Sequence, residues 1–201
     1  MTLAAPRTGT TPNVFTSAEL QWEPWLSPPA EGDLSDAQRD ALIDPARGKS
    51  AYFRLLARDP AILKARTLTD KDIFYNTADG LPRAERELAA TAASRVNGCI
   101  YCASVHARFA TTHSKRAADI ETLLADGLSA ALDERWSAIV EASAALTATP
   151  IRFGANHIKA LRDVGLSEAE ISDVIHGAAF FNWANRLMLS LGEPSLPVEQ
   201  P

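Results

Sequence analysis

From Ala51 onward the sequence is divided by one recurring phrase, "DGLPRAE", "DGLSAAL" and "DVGLSEAE", and this punctuation limits the folds open to it. Each copy sets a glycine (Gly80, Gly127, Gly165) where a helix would end, then Leu, then a Pro or Ser that suits the opening of the next. Glycine takes the left-handed C-cap conformation without a steric penalty, while Ser and Pro favour helix starts. The phrases between them read as helices: "AYFRLLARDPAILKART", "PRAERELAATAASRV", "CASVHARFATTH", "KRAADIETLLA", "LDERWSAIVEASAAL", "ANHIKALRDV" and "EAEISDVIHGAAFFNWANRLMLSL". Apolar residues recur at three- and four-residue spacing, as in Leu88, Ala92, Val96 and in Ile171, Val174, Ile175, Ala178, and no segment alternates with period two. Ser167 with Glu170 adds a capping box. The expectation is an all-α helical bundle. The repeated phrase fits stacked hairpins, but it is also the general grammar of bundles and does not establish a duplication.

Six of the twelve prolines (Pro6, Pro12, Pro24, Pro28, Pro29, Pro45) fall in the first 50 residues. Each fixes its own backbone and pushes its predecessor out of the helical region, so residues 1–50 read as an extended arm ahead of a single helical domain over 51–201. Trp22 and Trp25 in "LQWEPWLSPP" need cover, and the arm is expected to pack on its own body or on a neighbouring subunit. In "LSDAQRDALI", Ser35 and Gln38 form a capping-box pattern that opens a short helix.

A formal charge of -5 and an isoelectric point near 5.4 argue against nucleic acid or an acidic membrane as partner, since both need concentrated basic surface. No apolar run has signal-peptide or membrane-spanning length, so the expected location is the cytoplasm. There, thiol buffers keep cysteines reduced, and two close cysteines lean toward redox chemistry or metal.

Both cysteines lie in "NGCIYCASVH". Asn97-Gly98 is a strong helix stop, which places Cys99 and Cys102 at the start of a new helix, where free N–H groups and the helix dipole favour thiolate. Cys102 and His106 are an i, i+4 pair, roughly 6 Å apart along the axis, whereas Cys99 is about 10 Å from His106. The spacing singles out Cys102 as the thiol that the imidazole deprotonates, and leaves Cys99 to close a disulfide with it. Two other readings stand beside this one. A structural zinc site wants four ligands where Cys99, Cys102 and His106 supply three, and a pair of inert buried thiols is always possible because Cys is a small hydrophobe.

Glu87 lies twelve residues before Cys99, so "ERELAATAASRVNGCIYCASVH" reads Glu-x11-Cys-x2-Cys-x3-His. This four-point pattern resembles the core signature of the AhpD-like alkylhydroperoxidases of the carboxymuconolactone decarboxylase superfamily. The phrase "GLSEAEISDVIHGAAFFNWANRLMLSLG" is similar to the C-terminal helix of the peroxidase-related branch. The resemblance covers roughly Ala51 to Gly192 and implies an all-α bundle that assembles into dimers, trimers or hexamers. It also implies Cys102 as peroxidatic thiol, Cys99 as resolving thiol, His106 as base and Glu87 as the acidic end of a proton relay. On one straight helix Glu87 would be about 18 Å from Cys99, so the relay needs a chain reversal at Asn97-Gly98. The best-known members carry a second histidine in the slot that Tyr101 fills here, and a tyrosine is a poor base near neutral pH. Tyr101 is therefore either a hydrogen-bonding group or a wall. The decarboxylase branch lacks the cysteine pair, which argues against lactone decarboxylation.

The resemblance thus implies reduction of hydrogen peroxide or organic hydroperoxides with no metal or bound cofactor. The disulfide formed would be reduced by an external dithiol, such as a thioredoxin-like or lipoyl-bearing protein. A protein thiol-disulfide exchanger or redox sensor is the alternative. Among other residues, Glu85 reads as solvated surface and His113 as a helix-end histidine that could line the same channel. His157 and His176 read as bundle or interface positions, and "FFNWANR" (180–186) as core or interface more than pocket wall.

Overall fold

The computed structural model describes residues 10–76 and 78–197; Pro6 and the rest of the first nine positions of the arm lie outside the described residues. The described chain is helical from Asp36 onward, as the periodicity predicts. The helices are α1 (Asp36–Ala41), α2 (Ala51–Leu56), α3 (Pro60–Tyr75), α4 (Arg83–Val96), α5 (Ile100–Ser114), α6 (Ala117–Asp126), α7 (Glu134–Thr147), α8 (Ala155–Asp163) and α9 (Glu168–Leu191). The capping boxes at Ser35 and Ser167 both form. The stretch "AYFRLLARDPAILKART" is two helices and not one. Asp59 caps the Ile62 N–H and Pro60 opens α3, because a proline there cannot continue α2.

Helix α4 is the axle of the bundle, packed on α5, α7 and α9. Its "LAATAAS" run keeps side chains small, so neighbouring backbones approach closely, and every residue from Glu85 to Ser94 is buried. Burial of a whole turn of charged residues is tolerable only if each is paired. Glu85 takes a bidentate clamp from Arg135 at 2.8 and 2.7 Å, which corrects its reading as solvated surface. Arg86 donates to the carbonyls of Leu81, Ile73 and Asp79 and pairs with Asp173, fixing the loop that enters α4.

Arg135 also bridges to Glu170 at 3.1 Å. Burial alone would raise the Glu170 carboxyl, but the Ser167 backbone and hydroxyl together with Arg135 hold it below its ordinary value. A depressed carboxyl contributes stability that is present above its unfolded value and is lost as pH falls through the folded one. Arg135→Ala is therefore expected to cost about 1–2 kcal/mol near pH 7, allowing for the partly exposed arginine. In urea titrations that penalty should shrink as pH falls below the ordinary glutamate range and Glu170 protonates in both proteins. An equal penalty at both pH values would show that the clamp acts by packing.

The arm contains what the sequence reading lacked, a strand. β1 (Gln21–Pro24) pairs antiparallel with β2 (Gly192–Ser195), in the register Gln21 to Ser195 and Pro24 to Gly192. The clasp extends through the Trp25 N–H to the Leu191 carbonyl, and through the Trp25 indole N–H to Glu193. Glycine is required at 192 because a Cβ there would sit 2.3 Å from the Glu23 carbonyl oxygen and 2.4 Å from the Trp22 ring. Trp22 in turn packs edge-on against Tyr52, at 5.5 Å between ring centroids.

Candidate active site

The α4–α5 hairpin builds the site. Asn97 caps α4, Gly98 turns the chain at a φ of 75°, and Cys99 precedes the first residue of α5. A left-handed φ at this position is what glycine supplies cheaply. The turn folds α5 back along α4, so that Glu87, remote from the cysteines on an extended helix, comes to face α5. Its Oε2 lies 2.5 Å from His106 Nδ1, and its Oε1 accepts from Arg83 at 2.6 Å. Glu87 is 1% exposed, and this double partnership is what makes a carboxylate tolerable at that depth.

The imidazole of His106 is also fixed by packing. The Phe181 ring meets it edge-on at 4.0 Å between centroids, and Phe74 lies at 5.5 Å. With Nδ1 engaged by Glu87, Nε2 is the ring nitrogen left for chemistry, the arrangement by which a carboxylate orients a histidine base.

Cys99 and Cys102 are free thiols with sulfurs 2.6 Å apart, buried among Tyr52, Met188 and the partly covered Trp22, Tyr101 and Leu191. Burial pushes the Cys102 thiol well above its ordinary value, the Cys99 thiol adds to the rise, and Asn185 and Arg66 pull the other way. Burial thus opposes the thiolate that the helix start was expected to favour. Ionisation of Cys102 therefore needs a base. Asn185 reaches the thiol from α9, where it also donates to Ser94 and accepts from Asn97, so one buried network ties the hairpin turn to the cysteine.

Cys102, His106 and Glu87 all line one cavity of about 250 Å³, with Tyr101, Phe74, Phe109, Phe181 and Arg83 among its walls. Tyr101 is thus beside the site; burial raises its hydroxyl pKa, so it stays protonated and is a hydrogen-bond donor or a wall. Phe180, Phe181 and Ala184 of "FFNWANR" are buried in a core cluster, as the sequence reading expects, and Phe181 also lines the cavity. His113 does not join the cavity: it lies exposed in the last turn of α5. His157 stacks on Phe153 and accepts from the Gly154 N–H, and His176 is exposed on α9. Arg66 was missing from the sequence reading, and Phe181 and Asn185 entered it only as part of "FFNWANR"; all three come from other helices and carry no spacing signal relative to the cysteines.

Residues 60–148, from α3 to α7 and including all four signature positions, match the Carboxymuconolactone decarboxylase family. The crystal structure of an alkylhydroperoxidase AhpD core, a peroxidase-related protein from Ralstonia eutropha, superposes with a TM-score of 0.69 over 81% of this chain and 87% of its own, at 22% identity. Residues 60–148 thus match the Carboxymuconolactone decarboxylase family, within a chain of AhpD-like fold. A peroxidase-related protein from a Silicibacter species shares this AhpD-like fold over 96% of this chain and 95% of its own, with a TM-score of 0.68 and 22% identity. So does the debrominase Bmp8, solved as a cysteine-to-alanine variant with 2,3,4-tribromopyrrole, at a TM-score of 0.65, 18% identity, and coverage of 82% of this chain and 87% of that one. No curated protein matches the sequence. These similarities establish the AhpD-like fold for this chain. No helix among the described residues is long and apolar enough to cross a membrane.

Proposed function

We propose that this chain is a thiol-dependent peroxidase of the AhpD-like type, reducing hydrogen peroxide or organic hydroperoxides through Cys102 and Cys99. The observation that carries the reading is the Glu87–His106 pair at 2.5 Å, buried beside a cysteine whose burial makes a base necessary. His106 accepts the Cys102 proton, and Glu87 stabilises the imidazolium that results. The thiolate attacks one peroxide oxygen: an S–O bond forms, the O–O bond breaks, and the departing oxygen takes the proton from His106 and leaves as water or an alcohol. Cys102 is now a sulfenic acid. The Cys99 sulfur displaces its hydroxyl as water to form the disulfide, and an external dithiol reduces this by two exchange steps.

Burial also weighs against the exchanger alternative. Cys99 is 1% and Cys102 5% exposed, and Cys102 lines the cavity, so its thiol is reached by a small molecule more readily than by the flat surface of a protein. A lipoyl arm, long and narrow, fits such an entrance better than a folded thioredoxin-like face, although both remain within this proposal. Bmp8 shows that a protein of this fold holds a bromopyrrole, so the fold alone does not fix the reaction.

The test is the fate of each sulfur. Cys99→Ser treated with one equivalent of hydroperoxide should hold a sulfenic acid on Cys102 that a dimedone-type reagent traps, read by fragment mass spectrometry. Wild type should yield the internal disulfide under the same treatment. Oxidation of reduced wild type no faster than that of free cysteine in stopped flow would end the peroxidase reading.

A further inference from the structure

The cavity beside Cys102 has a second polar region that the cycle above does not use. Besides Arg83, which Glu87 neutralises, its wall carries the guanidiniums of Arg47 and Arg66, and Asp70 is the only further carboxylate among the described lining residues. Asp70 serves both arginines at long range, 3.4 Å from Arg47 and 3.3 Å from Arg66. Three guanidiniums facing two carboxylates leave one positive charge unbalanced.

Hydrogen bonding shows the same deficit. Arg66 is 8% exposed, yet its Nε has no hydrogen-bond acceptor and its Nη1 meets Asp70 at 3.3 Å without hydrogen-bond geometry; Nη1 of Arg47 likewise has no acceptor. Buried donors of this kind are costly, more so on a charged group. The guanidiniums are nevertheless held in place. Arg66 lies over the Phe53 and Phe180 rings at 5.4 and 5.3 Å, and Arg47 over the Phe53 ring at 5.0 Å. Fixed, unsaturated N–H groups with surplus positive charge fit a planar oxyanion, and a carboxylate matches the guanidinium fork best.

We propose that the cavity binds a substrate bearing a carboxylate, held by Arg66 and Arg47, with its apolar part against Phe74, Phe109 and Phe181. This rests on the peroxidase reading and names its substrate class: small organic hydroperoxides that carry a carboxylate. The cavity of about 250 Å³ lies at the lower edge of small-ligand pockets, so the acid is a short acyl or single-ring compound.

The test uses no peroxide. Iodoacetate and iodoacetamide both alkylate a thiolate with loss of iodide, and differ in that only the first carries a carboxylate. In the reduced full chain, the ratio of their rates at Cys102, resolved from Cys99 by fragment mass spectrometry, should exceed the ratio for free cysteine by about tenfold. Excess benzoate should slow both reagents. Arg66→Gln and Arg47→Gln should each lower the ratio by at least about threefold. A wild-type ratio no higher than that of free cysteine, or a high ratio retained in the folded variants, overturns the proposal. Should Arg66→Gln fail to fold, the wild-type ratio and Arg47→Gln decide it. Selection of iodoacetate by a chain that reduces no hydroperoxide would refute the peroxidase reading alone, and fast hydroperoxide reduction without such selection would refute the carboxylate site alone.

Discussion

Cys102→Ser is expected to reduce peroxide turnover to the background of free thiols, a loss on the order of 10³-fold or more, because the nucleophile itself is removed. The asymmetry with Cys99 gives the measurement its force. Cys99→Ser should still react once with peroxide at close to the wild-type rate and then stall, since only resolution has been lost. The two rates are separable in stopped flow, with a dithiol present to reveal turnover and absent to isolate the first oxidation. Fast first oxidation in Cys102→Ser, together with its loss in Cys99→Ser, would exchange the roles of the two sulfurs. The opposition of Cys102 to His106 on one helix face would then have no catalytic meaning.

Glu87→Gln should produce the second large effect, visible in both stability and reactivity. The substituted amide keeps the shape of the side chain but leaves the guanidinium of Arg83, 12% exposed and 2.6 Å away, without its counter-charge. Breaking a buried pair from one side costs about 3 kcal/mol, which a urea unfolding curve reads directly. The imidazolium of His106 also loses its stabilising carboxylate, so His106 becomes a weaker base. The midpoint of Cys102 alkylation, already high because burial raises the thiol, should therefore move to still higher pH. A loss of stability with an unmoved alkylation profile would make Glu87 a structural residue only.

The local parts of this arrangement were legible in the sequence. The stop at Asn97-Gly98, the caps at Ser35 and Ser167 and the i, i+4 relation of Cys102 to His106 depend on neighbours within one turn, and such relations survive folding unchanged. Glu87 was legible only through family resemblance, because its contact with His106 exists after the hairpin closes. Glu85 misled for the converse reason. A glutamate on an Ala-rich helix reads as solvated until Arg135, fifty positions away, is brought against it. Arg47 and Arg66 stand on separate segments before the cysteine hairpin, and nothing in their spacing announces a shared cavity. For the thiol, the helix-start argument suits a surface cysteine, and burial, which opposes it here, was the quantity the sequence lacked.

The clasp between β1 and β2 has a kinetic consequence. Joining Gln21 to Ser195 closes nearly the whole chain into a loop, whereas α4 and α5 meet across a turn of a few residues. Contacts this distant in sequence carry the larger closure entropy and form late in folding. The sulfurs are therefore set in place by an early hairpin, while Trp22, which covers Tyr52 above them, arrives at the end. On this order of closure, a refolding chain is expected to pass through an interval in which its cysteines are paired but uncovered. Oxidants present in that interval meet the two thiols before the cavity can select among them, so pulse alkylation during refolding should label Cys99 and Cys102 long after the hairpin amides are protected.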